Sequence, residues 1–263
     1  MTKFIKNLAL LTQQIREQQR LGENAVIELR EQTASFAGVA NRSQGNAYRH
    51  LGHGVLRRLF IVRRSIEVIV SLKLPTRKTQ LSREDLADLN VHLNSFYFHL
   101  RGMLDNLAWG IAYRSTLFGE LNETNGSDQR KIGLFLPSYL HALEVHMPDV
   151  VQVIQSHQEW SNELKVIRDP VAHRIPLYAV PSFLTKSDSE KLTALIDESF
   201  AAIAAGDTEK SERLLSESDR VGKYMPFFHS DGAQSLYPIL GRILHDLQKF
   251  QEILAAVTNA LGE

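Results

Sequence analysis

Apolar residues recur every three or four positions through most of this chain, the pattern of helices that bury one stripe each. Residues 4–33 carry Phe4, Leu8, Leu11 and Ile15, then Val26 and Leu29, and predict one helix with a polar face. Residues 34–46, rich in Ser, Gly and Asn, read as a connection. Residues 47–73 predict a second helix on the stripe Leu51, Val55, Leu59, Val62, Ile66 and Ile69, and KLPTRKTQL a loop. Ser82 opens a third helix, with Asp85 three residues on in a capping-box-like arrangement. Its stripe is Leu89, Leu93, Phe96, Leu100, Met103, Leu107 and Ile111, continuing to about Leu117. A polar loop (119–131) follows, then a short helix after Pro137, then a fourth long helix from Pro148 to Ile167 or Arg168.

Beyond Arg168 the pattern changes. RIPLYAVPSFLT and KYMPFFHSD are β-prone but carry prolines, which confine them to edge positions of a small paired ribbon. Between them, 187–218 reads as helical with an acidic bias. The last helix, about 234–261, carries Ile239, Ile243, Leu247, Phe250, Leu254 and Val257. The predicted fold class is all-α: an antiparallel helical bundle with a small proline-interrupted β-ribbon. One domain is expected over 1–263: an N-terminal helix and connection (1–46), a bundle (47–180), an insertion (181–231) and a C-terminal helix (232–263).

Composition narrows the chemistry. Hydrophobic residues make up 43% and charged residues 23%, and the formal net charge is zero, so no global basic field invites nucleic acid. Any such site must be local. Cysteine is absent, which removes disulfides, thiolate metal sites and a cysteine nucleophile. No apolar run has the length of a membrane span, and the N-terminus reads as a first helix rather than a signal peptide, so a cytoplasmic location is expected.

No phosphate-loop, dinucleotide, HExxH or GxSxG pattern occurs. His50 and His53, three apart, read as a solvated helix face, and His141, Glu144 and His146 make a weaker grouping still. No metal and no cofactor are expected. Trp109 and Trp160 read as core aromatics.

One charge feature is local. Residues 41–80 hold nine Lys or Arg against one acid, Glu67. Arg57 and Arg64, seven apart, with His50 and His53 on the same side, could track phosphates. The same residues could equally form a polar face balanced by the acidic 187–219 segment.

The sharpest element is KVIRDPVAHRIPLYAV, residues 165–180. Asp169 and Pro170 read as a helix cap and first helical residue, so a break is expected that aims Arg168 and His173 at one point. RNA can be cleaved without metal by its own 2′-hydroxyl. That reaction needs a proton acceptor, a proton donor and a cation for the phosphorane-like transition state. Histidine can move the proton, and arginine forks onto phosphate oxygens. Asp169 could orient either, and Tyr178 could add a hydroxyl. One chain supplies a single histidine here, so a two-fold dimer would complete the acid–base pair.

IRDPVAHRIPLY resembles the Arg-polar-x-x-x-His signature of the HEPN superfamily, and FHLRGMLDNLAWGIAY resembles the second motif-bearing helix of bacterial HEPN-like proteins. The likeness covers mainly residues 83–180. It implies an all-helical fold, a homodimer, and kinship with metal-independent endoribonucleases of toxin–antitoxin and phage-defence systems, with an antitoxin or defence-system partner. It matches Arg168 and His173 to the catalytic pair, Asp169 to the polar residue after the arginine, and Arg101, Asp105 and Asn106 to a supporting group. Arg174 joins Arg57 and Arg64 as an RNA-binding residue. The chain departs from shorter HEPN toxins in its insertion and long N-terminal helix. Three readings stand: an RNA endonuclease, a noncatalytic HEPN-like module that binds RNA, a nucleotide or a protein partner, or a helical scaffold with no small-molecule site.

Overall fold

The computed structural model describes residues 2–77, 80–173, 175–231 and 235–262. Its first helix, α1 (Thr2–Asn41), is about 60 Å long. It does not stop at residue 33. Phe36, Val39 and Ala40 continue the buried stripe of Ala25 and Leu29, and packing against later helices outweighs the poor helix propensity of the Ser and Gly residues. The side chains of Phe4, Leu8, Leu11 and Ile15 lie outside the described residues.

The second predicted helix is a single rod with a defect. α2 (Gly45–Tyr48) runs into a π-helix (Arg49–Leu56), which runs into α3 (Arg57–Ser71). The six predicted stripe residues are all buried. α4 (Arg83–Arg114) is the hub, packing against α3, the π-helix, α8 (Gln158–His173) and β1 (Tyr178–Phe183). Ser82 caps α4 by accepting from the Asp85 amide at 3.0 Å. The Asp85 carboxylate turns instead to Arg77, also at 3.0 Å.

The polar loop after α4 contains one short turn of helix, α5 (Gly126–Gln129), and α6 (Pro137–Glu144) follows Pro137 as expected. The fourth predicted helix is two: α7 (Pro148–Ser156) and α8, separated at His157. Conversely, α8 does not break at Asp169. It passes through Pro170 to His173. A proline in the last turn removes only one backbone hydrogen bond. The buried run Trp160, Leu164, Ile167 and Pro170 holds the helix against the core through that gap.

The two proline-bearing runs pair. β1 and β2 (Lys223–Ser230) are antiparallel, with Tyr178 opposite His229 and Phe183 opposite Lys223. Residues expected to begin the last helix form a third strand, β3 (Ser235–Pro238), which pairs with β2 and precedes α11 (Ile239–Gly262). β2 is thus the central strand and not the expected edge, and Pro226, like Pro181, is accommodated at the irregularity between the Val180–Phe227 and Ser182–Tyr224 pairs, where a missing N–H costs the ladder nothing. The acidic insertion is a helical hairpin, α9 (Lys186–Ala204) and α10 (Thr208–Ser218), closed by a Ser199–Ser211 hydroxyl contact at 2.8 Å.

α11 carries its predicted stripe fully into the core. Beside it, buried Asp246 accepts from Tyr97 (2.9 Å), Trp160 Nε1 (3.0 Å) and Arg242 Nε (2.9 Å), joining α4, α8 and α11 in one polar knot.

Candidate functional site

Two asparagines hold the segment after the Arg/His motif onto α4. Asn94 Oδ1 accepts from the Leu177 amide and Asn90 Oδ1 from the Ala179 amide, both at 2.8 Å, and Asn94 Nδ2 donates to the Leu177 carbonyl at 2.9 Å. The exit strand is thereby fixed along α4, and α8 packs on the same helix. Neither asparagine stands out in the sequence, because the groups they bind are backbone amides more than eighty positions away.

Arg168 lies on α8 with its side chain 22% exposed. Its Nη1 is 3.3 Å from Asp169 Oδ1, while its Nε is buried with no hydrogen-bond partner among the described residues. Arg101 and Asp105 form the expected helix ion pair at 3.5 Å. Asn106, expected beside them, turns the other way: its Nδ2 donates to the Gly102 carbonyl at 2.6 Å, and its Oδ1 faces His50. Tyr178 is exposed at the start of β1, opposite His229. The His173 side chain and Arg174 lie outside the described residues. The backbone alone places His173 in the same continuous helix as Arg168, and five positions turn its Cα about 140° round the axis. The expected convergence through a helix break is therefore not made by the backbone of one chain.

The structure adds two residues to this face. Arg58, on α3, donates from Nη1 to His99 Nδ1 on α4 at 2.8 Å. Its guanidinium lies over Gly102, where a Cβ would come within 2.7 Å of Cζ, and 5.9 Å from the ring centre of the half-exposed Phe98. Burial pushes the Arg58 guanidinium below its ordinary value. Asp105 pulls the other way, and Arg168 adds like-charge repulsion. Burial, then the neighbouring Arg58, likewise hold the His99 imidazole down. The face gathers three guanidinium groups (Arg58, Arg101, Arg168) against two carboxylates (Asp105, Asp169).

The basic α3 surface is less open than its composition suggests. Glu67 draws in Arg63 (3.4 Å), Arg64 (3.6 Å) and Arg30 (3.9 Å). Of the acidic insertion, Asp219 meets a basic residue outside it, Arg83, at 3.1 Å. Arg57 and Arg64 are exposed, but His50 does not share their side. It is buried, correcting the solvated reading: Nδ1 faces Asn106 Oδ1 at 3.1 Å and Nε2 faces Glu123 Oε1 at 3.0 Å. Tyr113 donates to the same Oε1 at 3.1 Å, and Arg49 pairs with Oε2. His50, Trp109 and Tyr113 stack. Burial works against ionising Glu123, but the bond and charge of His50, the Tyr113 hydroxyl and Arg49 outweigh it and hold the carboxyl below its usual value. Trp160 is a core residue and Trp109 is half-buried in this stack.

Two cavities open elsewhere, about 250 Å³ beside Leu81, Leu192 and Ile196, and about 470 Å³ beside Phe135, His141 and Gln158. Among the described residues no group of His, Asp and Glu is placed to hold a metal ion, and no helix is long and apolar enough to cross a membrane. Comparison with protein-family models, curated proteins and solved structures found no match.

Proposed function

We propose that this chain is an RNA-directed protein of HEPN type whose α4–α8 face takes a backbone phosphate, with metal-independent strand cleavage as its reaction. The observation that supports this is the excess of guanidinium charge beside Arg168, whose buried Nε has no partner among the described residues. A half-buried cluster with more cations than carboxylates is costly on its own, and the oxygens of a phosphate can match several guanidinium groups at once. In the reaction, the 2′-oxygen bonds to phosphorus as its proton leaves to a base. The bond to the 5′-oxygen breaks as that oxygen takes a proton, leaving a 2′,3′-cyclic phosphate and a 5′-hydroxyl. Arg168 is the cation for the transition state, Asp169 its orienting partner, and His173 the proton-transfer group. Because Arg168 and His173 diverge on one helix, the acid–base pair belongs to a two-fold homodimer in which each copy lends a histidine.

Incubation with RNA in EDTA tests this. Cleavage to 2′,3′-cyclic ends, lost in His173→Ala and Arg168→Ala, is the expected result. Undiminished cleavage by His173→Ala, or no RNA binding at all, overturns it. The unbroken path of α8 through Pro170 favours a second reading, a noncatalytic module that binds RNA or a nucleotide through the same face. Salt-sensitive RNA binding without turnover is its signature.

A further inference from the structure

We propose that Arg58 is a phosphate-binding residue, that His99 is its positioning residue, and that Arg58 and Arg168 together form a two-guanidinium grip for a phosphate group. The grip rests on the reading of this face as a phosphate site, but it names a residue on a different helix.

The π-helix (Arg49–Leu56) sets the direction of Arg58. Its i→i+5 turns shift the helical phase of whatever follows, and such segments are frequent at functional sites. Arg58 is the second residue after it. Arg57 and its heptad neighbour Arg64 stay exposed, while Arg58 is turned inward across α4.

Its partner there is unusual. A guanidinium stays protonated and can only donate, so His99 Nδ1 must accept, which leaves the imidazole proton on Nε2 and the ring neutral. His99 thus aims the guanidinium without neutralising it. The groups that act on the Arg58 charge are Asp105, which is already paired with Arg101, and Arg168, which repels it. Gly102 makes the position possible: any side chain there would occupy the space of Cζ, Nη1 and Nε, at 2.7, 2.7 and 3.0 Å. What results is a preorganised cation, held in place by a neutral acceptor and a missing side chain, with no carboxylate of its own.

The ligand class follows from the donors. One carboxylate satisfies one guanidinium fork. Two guanidinium groups approaching from different helices suit an anion whose oxygens point out of one plane, and the tetrahedral oxygens of a phosphate monoester or diester can meet each group separately.

The test uses the full chain and two probes. Inorganic phosphate is titrated against chloride at matched ionic strength, reading the rise in melting temperature. A short single-stranded RNA is titrated by fluorescence anisotropy in EDTA. Phosphate should raise the melting temperature of the wild type beyond chloride. Arg58→Gln should abolish that increment and weaken RNA binding on the order of tenfold or more. Arg58→Lys should retain part of both, and Arg20→Gln, an exposed change on α1, should alter neither. His99→Asn, which keeps an acceptor near Nδ1, should preserve the increment, whereas His99→Leu should lose it. Since Arg58→Gln also relieves repulsion, the readout is the increment and not the stability itself. An increment no larger than that of chloride, or one unchanged in Arg58→Gln, overturns the grip. If RNA binding then persists through Arg168, the RNA reading survives without it. If phosphate binds through Arg58 and RNA does not bind, the grip stands and the RNA reading falls.

Discussion

Arg58 Nη1 lies 2.8 Å from Nδ1 of His99, so a helix-borne cation is tethered to a neutral imidazole forty-one positions along the chain. That pairing has a pH consequence. His99 is held below its ordinary value of 6.5 by burial and by Arg58, and His92 chiefly by burial. Between their folded values and 6.5 the unfolded chain binds more protons than the native one, so stability rises with pH across that window. Urea midpoints should fall as the pH drops below about 6.5, and the fall should be shallower in His99→Gln and His92→Gln. An unchanged slope in both variants would refute the assignment.

Asp246 should be the most sensitive polar residue of the core. It is fully buried and accepts from Tyr97, Trp160 and Arg242. Asp246→Ala leaves Arg242 with the half-exposed Glu163 in place of its buried partner, and two further donors unmade, a loss of about 3–5 kcal/mol. Denaturant unfolding measures it directly. Asp246→Asn, which keeps an acceptor, should cost less.

Gly54 and Gly102 make a matched pair of tests. A Cβ at Gly54 collides with the carboxamide of Asn106, which is pinned at both ends by His50 and the Gly102 carbonyl. Gly54→Ala should therefore cost about 1–3 kcal/mol in thermal or urea unfolding. At Gly102 the obstacle is the far end of the flexible Arg58 side chain, so Gly102→Ala should cost little stability while displacing the guanidinium.

The His50–Glu123 contact ties the polar loop after α4 to the π-helix across seventy-three positions. Glu123→Gln should loosen that loop, and hydrogen exchange should quicken at the amides of residues 119–129 while the α4 core stays protected. Because the Glu123 carboxyl is held below its usual value, its contribution is present above about pH 4.5 and is lost as the pH falls through the lower folded value.

Most of the helical architecture was legible. The stripes of α3, α4 and α11 could be read position by position, because burial of one helix face repeats locally in the sequence. The errors lie where a distant partner overrode a local signal. Ser and Gly residues suggested a connection at 34–46, yet Phe36 and Val39 found a core and α1 continued. Asp-Pro suggested a break at 169–170, yet Pro170 was buried and α8 continued. His50 and His53 looked alike, but a loop brought Glu123 to His50 alone. For the candidate site, the chain pointed to Arg168 on α8 and to Arg101 and Asp105 on α4, two helices that pack together. It could not point to Arg58 or His99.

The sequence by itself determined where most helices lie, which stripe of each is apolar, and that two proline-bearing runs would pair, although the one expected at an edge, β2, is the central strand. Those properties depend on the residues within one or two turns. Only the tertiary structure decided which arginine of the Arg57–Arg58 pair turns inward, where Asn106 points, and how the strand after the motif is fastened to α4. The physical reason is that each of these depends on a partner forty or more positions away, and Arg58 also follows a π-helical phase shift that the apolar pattern does not mark.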